Sequence, residues 1–155
     1  KMAEYKPQDA VLMSTTTTQY CLKDSTHTEA PTNDTDWKDL HGIQTLSDIG
    51  TTAPTVEQTT IEDTAKRYIA DIKDGEDKEL EMVRYANDEN QQEVFNAANA
   101  GKMCFIRHVW PTGDIATYEC VFKGAVMMSG SVSDLVKFKI QYKLNGDVTF
   151  SKKSA

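Results

Sequence analysis

Three histidines and three cysteines, set among a surplus of carboxylates, are the side chains of this 155-residue sequence best equipped for chemistry. His27, His41 and His108 stand far apart, and none has a Cys or His at ligand spacing beside it. A tetrahedral zinc site is therefore not expected, and the three read as exposed or hydrogen-bonded histidines. Cys21, Cys104 and Cys120 form an odd, widely spaced set. They read as buried thiols made in a reducing compartment rather than as a disulfide framework. Neither Cys104 nor Cys120 has a neighbouring base, and no G-x-S-x-G elbow occurs, so nucleophilic catalysis is not expected. Gly113 and Gly146 each sit alone in turn-forming sequence, which excludes a phosphate-cradling loop. Asp74, Glu76 and Asp77 lack the alternating ligands and terminal Glu of a calcium loop and read as a solvated turn. The expectation is a protein with no enzymatic role and no cofactor.

Charge and composition narrow the partners. The formal net charge is -7, whereas gripping nucleic acid depends on Lys and Arg displacing phosphate counterions. A surface past which DNA slides is still compatible with that charge. The start, "KMAEYKPQDAVLMSTTTTQY", carries Glu4 and Asp9 and no continuous apolar run, so no secretory signal is read there. No stretch approaches the roughly 20 apolar residues of a membrane span. The length fits one domain, residues 1–155, able to bury a core unaided.

The elements that must hold these side chains are mostly strands. Ser14 to Lys23 is β-branched and aromatic and predicts a first strand, followed by a loop of turn-formers, "DSTHTEAPTNDTD". Trp37 and Leu40 read as anchors before a strand near Ile43 to Leu46, and "TVEQTTIE" as a further strand. In "KELEMVRY", Leu80 and Met82 point one way while Glu79, Glu81 and Val83 point the other. "NDENQQEVFNAANAG" predicts the one helix: Asp88 and Gln91 make a capping box, Gln91, Val94, Phe95 and Ala98 share a face, and Gly101 stops it. "KMCFIRHVW", "PTGD" and "IATYECVFKGAVMM" predict a hairpin with a type II turn. In its second arm Tyr118, Cys120 and Phe122 face inward, and Gly124 and Gly130 mark a bulge or bend. In the closing strand Val136, Phe138, Ile140, Tyr142 and Leu144 oppose Lys137, Lys139, Gln141 and Lys143, and Asn145-Gly146 predicts a hairpin turn. The sum is about seven strands and one helix, a mainly β sandwich or partial barrel with the helix flanking one side.

Two features remain unexplained by a core. If the strands carrying Glu57, Thr59, Glu79, Glu81, Thr117 and Glu119 share a sheet, one face is acidic and threonine-rich. Between them lies "TIEDTAKRYIADIKDGEDKEL", which has helical periodicity through Ala65, Tyr68, Ile69 and Ile72 but strand-like flanks.

The order of "DTDWKDL", "TTIED" before a polar insertion, "YANDENQQEVFNAANAG", "IRHVWPTGDIATYECVFKGAV" and the alternating strand before "NGDV" resembles the tail tube proteins of long, non-contractile-tailed bacteriophages. It is similar in kind to the N-terminal domain of the lambda tail tube protein, over Asp36 to Phe150. The resemblance implies a β-sandwich with one flanking helix, assembling into hexameric rings that stack into a tube, the inner sheets joining as a continuous β-barrel. It implies residence in the virion tail after assembly in the host bacterial cytoplasm, with tape-measure, terminator and tail-tip proteins as partners and no membrane. The immunoglobulin-like C-terminal domain of some relatives is not expected in a chain ending at Ala155.

The same resemblance makes residues 62–78 an extended arm rather than a helix, with residues 1–13 a second, N-terminal arm. Arg67, Tyr68, Ile69 and Ile72 would then find partners on another copy, since tertiary and quaternary contact overrides propensity in short segments. It gives the acidic row a role as a lumen lining of Glu57, Thr59, Glu79, Glu81, Thr117 and Glu119. Double-stranded DNA would slide past such a lining without specific binding. The lysine row Lys137, Lys139 and Lys143 would meet acidic partners on adjacent subunits or solvent. The alternatives are a type VI secretion-like tube protein, which shares the architecture, and a monomeric β-sandwich binding module.

Overall fold

Residue-by-residue alternation of apolar and polar side chains builds most of this molecule, and the sheet follows from it. The computed structural model describes residues 12–50, 52–53, 55–62, 64–70 and 77–152. These contain ten strands and one α-helix: β1 (Thr17–Leu22), β2 (Lys38–Leu40), β3 (Ile43–Leu46), β4 (Thr55–Glu57), β5 (Tyr68–Ala70), β6 (Asp77–Val83), α1 (Glu89–Asn99), β7 (Met103–Val109), β8 (Asp114–Met127), β9 (Lys137–Leu144) and β10 (Thr149–Lys152). The mainly β fold with one flanking helix is as expected, with more and shorter strands.

Eight strands form one antiparallel sheet in the order β2-β1-β7-β8-β9-β6-β3, with β10 also paired to β8. The long strand β8 is its spine. Residues 115–121 pair β7 along one edge and residues 120–127 pair β9 along the other, with a register shift in the second ladder between Phe122 and Gly124. Lys123 is the extra residue of that bulge, the bend expected at Gly124.

The inner face is the core. Leu80 and Met82 of β6, Tyr118, Cys120 and Phe122 of β8, and Phe138, Ile140, Tyr142 and Leu144 of β9 are all buried in it. Helix α1 closes this face with Val94, Ala97 and Ala98, while Phe95 meets the Phe138 ring edge-on at 5.7 Å. Asp88 caps the helix, its carboxylate accepting from Asn90 and Gln91 N–H. At the other end Gly101 (φ 70) allows Lys102 N–H to reach Ala97 O and its own N–H to reach Ala98 O, closing the helix as a Schellman motif.

Four local expectations are corrected. Gln91 does not reach back to its cap. Fully buried, its amide accepts from Tyr85 N–H and donates to His41 O and Val83 O, tying the β2–β3 corner to the strand before the helix. The β7–β8 turn closes through Gly113 N–H to Trp110 O, which makes Thr112 the residue that a type II turn would force to positive φ. No described non-glycine residue has positive φ, and Gly113 (φ 91) takes the left-handed position one residue later. Asn145-Gly146 does not reverse the chain. β10 continues along the same edge of β8 that β9 occupies, with Leu144 opposite Cys120 and Thr149 opposite Thr117. Val136 lies before β9 begins and is exposed, not in the core.

Candidate assembly and lumen surfaces

The outer face of the eight-stranded sheet divides into two halves of different chemistry. Over β1 and β7 the chain's own loop seals it. Trp37, Cys21 and Phe105 form a second buried cluster there. The Arg107 guanidinium stacks on Trp37 at 4.9 Å, bonds the Gln19 amide oxygen through two of its nitrogens, and pairs Asp34 at 3.0 Å. Trp37 Nε1 donates to Pro31 O. Asp24 folds the start of the loop by accepting from Thr26 and His27 N–H, and those two bonds hold its carboxyl below the usual value. His27 lies between Asp24 and Asp36, at 3.5 and 3.9 Å. Among the described residues no group of three or more His, Cys, Asp or Glu is placed to hold a metal.

The other half carries charged rungs. Thr45, Glu81, Lys139 and Val126 lie opposite one another across β3, β6, β9 and β8. Glu79 faces Gln141 and Gly124; Asp77 faces Lys143, which in turn faces Val121. Lys137 stands opposite Val83. The rows therefore run acidic on β6, basic on β9 and mixed on β8, where Val121, Gly124 and Val126 are joined by Lys123, which pairs Asp77 at 3.4 Å. Ser47 Oγ extends the pairing past β3 by accepting from Glu79 N–H and donating to Glu79 O.

This placement corrects the single acidic face. Glu57 belongs to β4, which among the described residues pairs β5 in a separate two-stranded sheet, and Thr59 lies beyond the strand's end. Thr117 and Glu119 are on the outer face of β8 but opposite Arg107 and Phe105, beside the sealed half, and Glu119 is ion-paired with Lys23 at 2.6 Å. Glu79 and Glu81 alone share the open half, and the lysines share it with them. Parity gave the faces of β6 and β8 correctly, but β4 is exposed on both faces, and the neighbouring strand is a property of topology that no single strand encodes.

Within the polar insertion residues 61–62 turn, residues 64–65 bend, a short strand follows at Tyr68 to Ala70, and Asp77 and Lys78 already belong to β6. Tyr68 to Ala70 pair with Thr55 to Glu57, Ile69 opposite Val56, and all six residues are exposed. Tyr68 and Ile69 thus sit on a small sheet outside the core, as does Arg67, whose carbonyl accepts from Gln58 N–H. Ile72 and most of the N-terminal arm, residues 1–11, lie outside the described residues. A second exposed apolar group, unmarked by periodicity, surrounds the β8–β9 connection: Val126, Met127, Met128, Val132, Leu135 and Val136.

Buried polar groups are internally satisfied. Thr18 Oγ1 meets His108 Nδ1 at 2.9 Å, His108 Nε2 meets the Tyr118 hydroxyl at 2.8 Å, and that hydroxyl meets Tyr142 at 2.7 Å. Burial lowers the His108 pKa to about 3, so the ring is neutral, and burial raises both tyrosines. All three thiols are free and buried, and burial lifts Cys21 to about 11. Near the surface, burial would raise the Glu93 carboxyl, but Lys38 and the Tyr20 hydroxyl together hold it lower. Among the described residues the arrangement builds surfaces and locks strands.

Similarity to known proteins agrees with that. The model of the phage tail tube protein family matches residues 30–146. No curated protein sequence matches the chain. Among solved structures, the chain resembles one in the anti-feeding prophage baseplate (TM-score 0.68, 10% identity, covering 98% of this chain and 100% of that one). It also resembles one in a native gene transfer agent virion (TM-score 0.66, 12% identity, 92% and 99%) and the SPP1 tail tube (TM-score 0.63, 14% identity, 94% and 81%). No described helix is long and apolar enough to cross a membrane.

Proposed function

This chain belongs to the phage tail tube protein family and is a structural subunit of the virion tail; from that premise we propose that its copies close into hexameric rings, which stack into a hollow tube conducting double-stranded DNA during ejection. The observation that carries this is the exposed two-stranded sheet of β4 and β5, with Val56, Tyr68 and Ile69 in solvent and outside the eight-stranded sheet. Exposed apolar surface of this kind is stabilised when a neighbouring chain covers it. Arg67, Tyr68 and Ile69 make that contact, and Ile72, from its place in the sequence, extends it. Glu79 and Glu81 face the lumen; Glu57 and Thr59 travel with the arm, and Thr117 and Glu119 border the sealed half. The tube ends on terminator and tail-tip proteins, encloses a tape-measure protein before DNA enters, and requires no catalytic step and no cofactor.

Negative-stain microscopy of the purified chain at high concentration tests the reading. Long stacked tubes are expected, and monomers at every concentration would overturn it. A second reading, a tube of a contractile injection apparatus, is favoured by the likeness to the anti-feeding prophage chain. Isolated rings that never stack without another component would favour that one.

A further inference from the structure

We infer that the lysine row of β9 lines the tube lumen together with the acidic row of β6, so that DNA in transit meets a charge-balanced wall rather than an acidic one. This rests on the tube reading above and specifies which face of the sheet that tube turns inward.

Three observations converge on it. The outer face over β1 and β7 is unavailable, because Trp37, Phe105 and the stacked Arg107 fix the loop across it. The inner face is unavailable too, being filled by core side chains and α1. What remains of the large sheet is the outer half spanning β8, β9, β6 and β3, which ends in β3, a strand that among the described residues pairs only β6. Both edges are short, but β3, Ile43–Leu46, carries no charge and is able to carry the sheet into the next copy, whereas β2, the opposite edge, carries Lys38 and Asp39.

Register then decides the charge. Asp77, Glu79 and Glu81 of β6 run beside Lys137, Lys139 and Lys143 of β9, with Asp77 opposite Lys143 and Glu81 opposite Lys139. Adjacent strands are about 4.8 Å apart, shorter than a Debye length of about 8 Å at physiological salt. The fields of the two rows therefore largely cancel within a short distance of the wall. A duplex finds no unopposed basic row to release counterions onto and no single-sign barrier to entry. On β8, Lys123 Nζ pairs Asp77 at 3.4 Å, so this further basic group is opposed as well, while Val121 and Val126 beside the lysines offer phosphate no hydrogen bond.

Position is read by labelling. Lys139→Cys places a thiol on the open half and Asn96→Cys places one on the exposed side of α1, at the opposite surface of the layer; the native thiols are buried. In dissociated protein, both variants should react with a small maleimide and with a long polyethylene-glycol maleimide. In tubes verified by microscopy, the small reagent should label both, and the long one only Asn96→Cys. Labelling of Lys139→Cys in tubes by the long reagent would put the face outside, and labelling by neither reagent would put it in a subunit contact; either overturns the inference while leaving the tube intact. Failure of the unmodified chain to form tubes would instead remove the reading beneath it. Balance is read separately: tubes of the Glu79→Lys, Glu81→Lys double variant should retain a fluorescent DNA duplex at low salt and release it as salt rises, whereas unmodified tubes retain none. Equal retention by unmodified tubes would overturn the balanced wall.

Discussion

His108 Nε2 lies 2.8 Å from the Tyr118 hydroxyl, with both rings buried in the core. The contact belongs to a line of four side chains, one from each of β1, β7, β8 and β9, and the line satisfies itself in either direction. If Tyr142 donates to Tyr118 and Tyr118 to His108, then His108 Nδ1–H donates to Thr18; if Thr18 donates to His108, every bond reverses. The core tolerates this polar line because each buried oxygen and nitrogen in it has at least one partner.

Acid should loosen the fold through His108. Burial holds its folded pKa at about 3, below the ordinary histidine value of 6.5, so between those values the unfolded chain binds a proton that the folded chain refuses. The stability held by neutral His108 is complete above about pH 6.5 and drains away as pH falls toward 3. Chemical denaturation of the monomer at pH 7 and pH 4 checks this, with the His108→Gln variant showing a shallower loss. Identical pH profiles for the two proteins would count against it.

Removing single hydroxyls should cost unequally. Tyr118→Phe leaves His108 and Tyr142 without their shared partner and should destabilise by about 1–3 kcal/mol, the cost of orphaned buried groups. Tyr142→Phe removes an end of the line, leaves Tyr118 bonded to His108, and should cost about 1 kcal/mol. Denaturant midpoints of the two variants give the order.

Trp37→Ala should uncover the sealed half. The ring is 6% exposed and supports both Phe105 and Arg107, so a loss of about 3–5 kcal/mol is expected. Faster proteolysis within the loop preceding Trp37 should accompany the fall in melting temperature. A variant as stable as the parent would show that the loop is dispensable.

Gly42 cannot accept a side chain. At φ 85 an added Cβ would lie 2.8 Å from Val83 O and 2.9 Å from the Tyr85 ring, at the corner where Gln91 binds His41 O. Gly42→Ala should therefore destabilise by more than the ~1 kcal/mol of an ordinary glycine exchange, as thermal melts will report.

Ile69→Asp should separate folding from assembly. Ile69 is exposed and paired only within β4–β5, so the monomer's melting temperature should stay within about 1 kcal/mol equivalent of the parent, as for surface substitutions generally. Tubes should fail to form, as seen by microscopy and sedimentation. Normal tubes would place the contact elsewhere.

Where alternation or capping is local, the sequence was legible. β6, α1 and the buried side of β9 emerge from residue spacing alone, and Glu79 and Glu81 fall on the outer face as parity requires. What stayed hidden depends on pairing between distant segments. Nothing in "KLNGDVTF" shows that β10 will return to β8 instead of folding on β9, because the preference of Asn-Gly for a turn is outweighed by the open edge that β8 offers. Likewise β2 is too short to show alternation, and Glu81 cannot reveal in its own strand that Lys139 will stand beside it.

β9 and β10 share one edge of β8 and are separated only by residues 145–148. The backbone there joins two segments already aligned by a common template, so cutting it removes no ladder bond. The strand from Thr149 to Lys152 is thus a detachable seam. Supplied as a separate peptide, it should be able to slot back against Asp114 to Thr117, and it offers a place to splice in foreign sequence without disturbing the rest of the sheet.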